Sequence, residues 1–220
     1  MKKIVLYTFT LAAIFLFIGS GCVFAQSDTI RISKIELAKK KKHNFRNLSR
    51  DSTILVYIDT LIMKDRSSLQ FFGNKDVELH VNHAEIGKRA FIDLRANENN
   101  AANMNAFINF NKLGSLFILA NGLDAHNGTK TFPNGDGGIV NLHYNDKGIK
   151  PQSNNKKENN YLEINIEPGG QRVNPNAEVS QIYSQIARAP RGLRGLPQGQ
   201  VYSGSEGKKG KKTVQAIQEN

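Results

Sequence analysis

Short apolar runs begin at Leu61, Leu69, Val77, Ala84 and Phe91, a step of seven or eight residues that constrains the fold more than any other feature of this chain. Three such steps span about 22–24 residues, inside the window in which regular spacing points to stacked coils. In such a coil, short strands meet at tight corners and their inward apolar side chains pile onto those of the next coil. The spacing therefore predicts an all-β chain, a single-stranded right-handed β-helix or solenoid. The alternative is an antiparallel β-sandwich, whose strands also recur at short intervals. The brevity of the runs favours the solenoid, as do Asn82, Asn109 and Asn141 at or within them, because corners and side-chain stacks tolerate Asn.

Strand signals extend beyond this stretch. Thr29–Leu37 alternates roughly with period two, and Thr53–Met63 is apolar and β-branched. Shorter runs follow at Leu69–Phe72, Val77–Val81, Phe91–Leu94, Phe107–Phe110, Leu116–Ala120, Ile139–Tyr144 and Leu162–Ile166. Polar inserts at Asn97–Asn105 and Lys147–Asn160 interrupt the rhythm. The pairs Asn121-Gly122, Asn127-Gly128 and Asn134-Gly135 are turn signals, since both residues accept positive φ at low cost.

After Gly169-Gly170 the pattern changes. Asn174 can cap a helix with Pro175 in its first turn, and Val179, Ile182, Tyr183 and Ile186 share one helical face. This predicts a short capping helix over 173–190, closing an end of the coil stack. Six glycines then punctuate a basic tail, 191–220, expected to be disordered. Its glycine intervals break the strict triplet that a collagen helix needs.

The stretch Met1–Ala25 carries a different message. Lys2 and Lys3 precede the apolar run Ile4–Ile18, and Val23-Phe24-Ala25 puts small residues where signal peptidase requires them. The expected layout is a signal peptide over 1–25, a basic N-terminal arm and first strand over 26–52, and a solenoid body over 53–172. Export is implied, to the periplasm, the outer surface or the medium. Gly19-Ser20-Gly21-Cys22 also resembles a lipoprotein signal, although Gly19 stands where Leu is usual; an uncleaved anchor is the third alternative. Cys22 is the only cysteine, so the mature chain has no internal disulfide and must rely on packing.

Formal charge is +11, and its distribution is uneven. Residues 26–50 hold eight basic and two acidic residues, and 186–220 hold seven and two, whereas 51–185 hold thirteen and fifteen. The basic ends are either solvated arms or contacts for something anionic. For the second role the candidates are Lys39, Lys40, Lys41 and Lys42 at one end, and Arg191, Arg194, Lys208, Lys209, Lys211 and Lys212 at the other. Outside the cytoplasm the expected partners are an acidic glycan, lipopolysaccharide or an envelope protein. No zinc-finger, helix-turn-helix or RNA-recognition pattern supports sequence-specific nucleic-acid binding.

Catalytic and metal signatures are weak. Gly-x-Ser-x-Gly is absent. Asp124, Asn127, Asn134 and Asp136 could offer oxygens to calcium, but without the carboxylate density or repeat of a calcium solenoid. His80 and His83 fall on opposite faces of a strand unless a corner intervenes at Asn82. Asp93 with Glu163, or Glu78 with Asp93, could supply the carboxylate pair of a glycosidase, and Arg95 or Lys88 the base of a lyase. Nothing calls for a cofactor. The Met-Lys-Lys start suggests a bacterial exporter, in which the two glycosylation sequons, Asn47-Leu48-Ser49 and Asn127-Gly128-Thr129, would be silent.

On the runs Leu69–Phe72, Val77–Val81, Phe91–Leu94 and Ile139–Tyr144 and the Asn-Gly corners, residues 53–170 resemble the exported single-stranded β-helix proteins of Gram-negative bacteria. The resemblance is one of architecture and carries over no site residues. It implies an exported, non-enzymatic structural, adhesive or binding module whose basic ends meet an anionic envelope component. The alternatives are a carbohydrate-active β-helix enzyme, either lyase or glycoside hydrolase, and an accessory subunit of an envelope assembly.

Overall fold

A computed structural model describes residues 28–46, 52–95, 99–125, 132–171 and 206–218, together with Ser180, Tyr183 and Ser184. The expected signal peptide, 1–25, and most of the expected helix, 173–190, lie outside the described residues. Ser184 does donate its hydroxyl to the Ser180 carbonyl at 2.8 Å, one helical turn away.

The described chain is all-β. Its strands are β1 (Asp28–Leu37), β2 (Lys42–Arg46), β3 (Thr53–Met63), β4 (Ser68–Phe72), β5 (Asp76–Ile86), β6 (Ala90–Asp93), β7 (Asn103–Leu113), β8 (Ser115–Leu119), β9 (Ile139–Asn145), β10 (Tyr161–Asn165) and β11 (Lys211–Ile217). Odd-numbered strands form one six-stranded sheet in the order β1-β3-β5-β7-β9-β11. Even-numbered strands form a five-stranded sheet in the order β10-β8-β6-β4-β2. Every strand pairing is parallel. The antiparallel sandwich is thereby excluded: hairpins would pair neighbours in sequence, and here neighbours in sequence always lie in different sheets.

Register shows how the apolar spacing is used. Ile54 pairs with Val77 and Ser68 with Phe91, the same offset along the chain in both sheets. Inward rows result: Ile54, Val77, Met104 and Val140 in one sheet, and Leu69, Ile92, Ile118 and Ile164 in the other. Both belong to one hydrophobic core. Each such aliphatic side chain contributes about 1.5–3 kcal/mol when removed from water. Phe45 stacks on Phe71 within it, with centroids 5.1 Å apart.

The long strands bend. In β3 and β5 the buried–exposed alternation slips once, so that two outward residues follow each other at Asp59-Thr60 and Asn82-His83. The bend turns His83 to the same side as His80. Outward Asn residues lie in ladders: Asn82 Nδ2 donates to Asp59 Oδ1 at 3.1 Å, and Asn141 Nδ2 to Asn105 Oδ1 at 2.8 Å.

Two expectations need correction. The basic run at 39–42 is no free arm: Lys39, Lys40 and Lys41 form the corner between β1 and β2, and Lys42 opens β2. The tail is not disordered throughout, because Lys211–Ile217 pairs with β9 along its whole length. Every side chain of β11 is exposed, so its place depends on main-chain pairing rather than on burial.

A third feature was unforeseen. The glycines at 122, 135, 137, 138, 169, 207 and 210 sit in extended segments outside any strand, and these segments cross-link in several directions. Gly135 N donates to Leu123 O, Gly169 N to Gly135 O, Gly207 N to Gly169 O and Gly137 N to Lys208 O, all at 2.8–3.1 Å. Ala101 N also donates to Asp136 O at 3.0 Å, so segment 134–138 bonds to four others, more than one sheet strand can. A Cβ on Gly135 would overlap the Asn99 carbonyl oxygen, and one on Gly207 the Gly135 carbonyl, so only glycine permits this spacing.

Candidate functional site: a cationic notch at the sheet corner

Three successive corners link a long strand to a short one through Ala38–Lys41, Lys64–Ser67 and Gly87–Arg89. Each places a basic residue at positive φ: Lys40 at 63°, Arg66 at 60° and Arg89 at 56°. The corners sit directly on one another, since Lys40 N donates to Asp65 O at 3.0 Å and Arg66 N to Lys88 O at 2.9 Å. Arg89 N donates to Ser115 Oγ at 2.7 Å, continuing the stack. Main-chain hydrogen bonds thus set the spacing of the cations at one strand separation, about 4.8 Å.

The next corner is abbreviated. Only Gly114 separates β7 from β8, and a Cβ there would lie 2.7 Å from Gly87 O. The missing residues leave a recess, and the polar insert before β10 folds over its far side. The resulting cleft, of about 670 Å³, is lined by Lys39, Lys40, Arg66, Lys88 and Arg89 on one flank and by Lys156, Lys157, Glu158 and Asn159 on the other. Ser115 and Phe117 line it between these flanks, and Lys156 Nζ lies 4.9 Å from the Phe117 ring centroid.

Charge in the notch is unbalanced. Seven cations face two acids, Asp65 and Glu158. Both acids accept from neutral N–H groups, Asp65 Oδ1 from Lys88 N at 2.8 Å and Glu158 Oε1 from Asn155 Nδ2 at 2.7 Å, and the cations still outnumber them. Among the described residues neither forms an ion pair, and of the seven cations Lys156 alone has one, with Glu163 at 3.1 Å. Burial alone would raise the Glu163 pKa, but the Tyr161 hydroxyl at 2.8 Å and the Lys156 ammonium outweigh it and hold the carboxyl below its usual range.

Of the sequence-based candidates, Lys39 and Lys40 line the notch. Lys41 and Lys42 are exposed beside it, and Lys42 is in register with Ser68. Arg191 and Arg194 lie outside the described residues. Lys208, Lys209, Lys211 and Lys212 sit at the opposite end, five strand spacings or roughly 24 Å along the stack. There Lys209 pairs with Glu167 at 2.6 Å and Lys212 Nζ reaches Ile164 O at 3.4 Å. The two basic ends therefore do not converge. Arg66, Arg89, Lys156 and Lys157 were missed, because they stand in the charge-balanced middle of the sequence and only stacking aligns them.

The catalytic candidates are dispersed. Glu78 is in the six-stranded sheet and bonds His80 Nε2 at 2.7 Å. Asp93 and Glu163 share the other sheet, but β8 separates their strands, leaving roughly 12 Å between their Cα atoms. Asp93 is committed to Arg95 and Glu163 to Tyr161 and Lys156. The calcium candidates hold backbone instead: Asp124 accepts from Gly170 N, Asn134 from Ala125 N and Asp136 from Lys208 N, at 2.6–2.8 Å. Asn127 lies outside the described residues. No cluster of three metal-ligating side chains occurs among the described residues, and none of their helices is long and apolar enough to cross a membrane.

A second outward feature is a ring ladder on the six-stranded sheet. Tyr57, His80, Phe107 and His143 stack with centroids 4.6–4.8 Å apart and planes within 20°. Arg31 caps it, 4.3 Å from the Tyr57 centroid. Rings stacked face to face along the sheet turn their edges to solvent, so the ladder stabilises the sheet and leaves little ring face for a ligand.

Comparison with known proteins finds no matching family model, no matching curated protein and no matching solved structure.

Proposed function

We propose that this chain is an exported, non-enzymatic binding module, a single-stranded β-solenoid that presents a cationic notch to an anionic envelope component or acidic glycan. Strict alternation of eleven strands between two parallel sheets supports the solenoid. So does the register of the six-stranded sheet, which carries Asp28 onto Ile54, Ile54 onto Val77 and Val77 onto Met104 in steps of similar length. Export rests on the leader pattern of residues 1–25. The observation that carries the binding role is the notch: five cations on stacked corners and two on the facing insert, against two acids. An excess of charge of one sign in a cleft focuses the field on an oppositely charged partner. The enzymatic alternative finds less support, because the described acids are tied in separate contacts rather than facing one another across a cleft.

The test uses the mature chain and a variant with Lys40, Arg66 and Arg89 each changed to Asn, which tolerates positive φ. Binding to immobilised lipopolysaccharide and polygalacturonate, with dextran as the neutral control, is measured across a salt series. Wild type should bind the anionic matrices in a salt-sensitive manner, and the variant should bind far more weakly. Retention of the variant equal to wild type at every salt concentration would discard the reading.

A further inference from the structure

The charge of the notch leaves the chemistry of its occupant open, and its geometry narrows it. We infer that the notch holds a linear acidic glycan lying along the stacking axis, with one carboxylate or sulfate opposite each corner cation; this rests on the polyanion reading above.

Spacing is the first argument. Lys40, Arg66 and Arg89 occupy the same corner position in consecutive layers, all at positive φ and locked by inter-corner N–H···O bonds. Their backbone repeat of about 4.8 Å is of the order of one sugar residue in an extended chain. Because the main chain fixes the repeat, the three cationic side chains spring from one line of Cα atoms before any ligand arrives, which lowers the cost of matching a periodic partner.

The lining is the second argument. Beyond the three cationic corners, the Gly114 layer offers no charge; the buried residues Ser115 and Phe117 form its floor, with Asn159 beside them. An uncharged layer with an amide at its rim suits a sugar, whose hydroxyl groups need hydrogen-bond partners between its charged groups. Lys156 and Lys157 then restore positive charge on the far flank. A single-stranded nucleic acid would instead want several open ring faces for its bases. Phe117 is the only aromatic lining the notch among the described residues, and Lys156 already lies over it. A glycan reaching from Lys40 to Lys156 crosses three cationic layers, one neutral layer and the far flank, a length of about five sugar residues.

The experiment is calorimetric titration of the mature chain with size-graded oligogalacturonates from the dimer upward. A fully methyl-esterified series and inorganic polyphosphate serve as comparison probes. Affinity should climb with length to about the pentamer and then level, and esterification should abolish binding. Lys40→Asn, Arg66→Asn and Arg89→Asn, each with unchanged thermal unfolding, should weaken the pentamer by about fivefold. Affinity that rises without a plateau, or polyphosphate that binds as tightly per charge as the pentamer, would overturn the glycan inference while leaving the polyanion reading in place. Failure of every polyanion to bind would remove both.

Discussion

Arg95 grips Asp93 with a fork, its Nε 2.8 Å from Oδ1 and its Nη2 2.7 Å from Oδ2, although the two are near neighbours on one strand end. Asp93 is 6% exposed on the outer side of the five-stranded sheet, with Gln70 Nε2 at 3.4 Å as its other side-chain contact. A buried carboxylate stripped of its cation keeps the desolvation cost and loses the compensation. Arg95→Ala should therefore destabilise the protein by about 2 kcal/mol, less than a fully buried pair because the guanidinium is partly solvated. Arg95→Lys should recover little, since a single ammonium cannot reproduce the fork. Urea unfolding of the two variants checks both statements.

The glycine-rich segments make a sharper prediction. Gly135→Ala inserts a methyl group onto the Asn99 carbonyl and should cost about 3 kcal/mol or more. Gly148→Ala is the milder control, because its closest approaches, the Asn109 side-chain oxygen at 3.2 Å and the Phe110 carbonyl oxygen at 3.3 Å, ask for only a small shift. Thermal unfolding should separate the pair clearly.

Acid should loosen the far flank of the notch. Burial pushes the Glu163 carboxyl upward, yet Tyr161 and Lys156 together hold it below its ordinary value of 4.5. A depressed folded pKa contributes stability that is complete above the unfolded value and is lost as pH falls through the lower folded value. Wild type should thus lose stability below about pH 4.5 faster than Glu163→Gln, and the difference should vanish in the acid limit. Chemical unfolding midpoints measured from neutral pH downward give the comparison.

Rings inside and outside the core should differ in worth. Phe71 is fully buried against Phe45, and Phe71→Ala should cost about 3–5 kcal/mol. Phe107 is half-buried between His80 and His143, at 4.7 and 4.8 Å, so Phe107→Ala removes two stacks and should cost about 2 kcal/mol. Equal losses at the two sites would show that the outer ladder is part of the core energetics.

The strands that sequence reading found are those whose alternate residues are apolar: β1, β3, β4 and β6 coincide closely with the runs Thr29–Leu37, Thr53–Met63, Leu69–Phe72 and Phe91–Leu94. The extension of β5 to Ile86 was hidden because the alternation slips at Asn82-His83. Strands β2 and β11 escaped notice for another reason. Lys42–Arg46 buries only Phe45 and Lys211–Ile217 buries nothing, so neither shows a hydrophobic pattern. Their hydrogen-bond partners are remote in the chain, Lys42 being in register with Ser68 and Lys211 with Ile139. At the candidate site, Lys39 and Lys40 stood out within a lysine run, whereas Arg66, Arg89 and Lys156 were each unremarked in a stretch of balanced charge.

What the amino-acid order determined alone was the all-β character and the interval at which apolar side chains return to the core, because burial of alternate residues is written locally along each strand. Which strands became neighbours, how corners far apart in the chain came to align their cations, and where a shortened corner opened a recess were decided only by the tertiary structure. Those features depend on main-chain hydrogen bonds between segments distant in sequence, which almost any residue can make and no local pattern records.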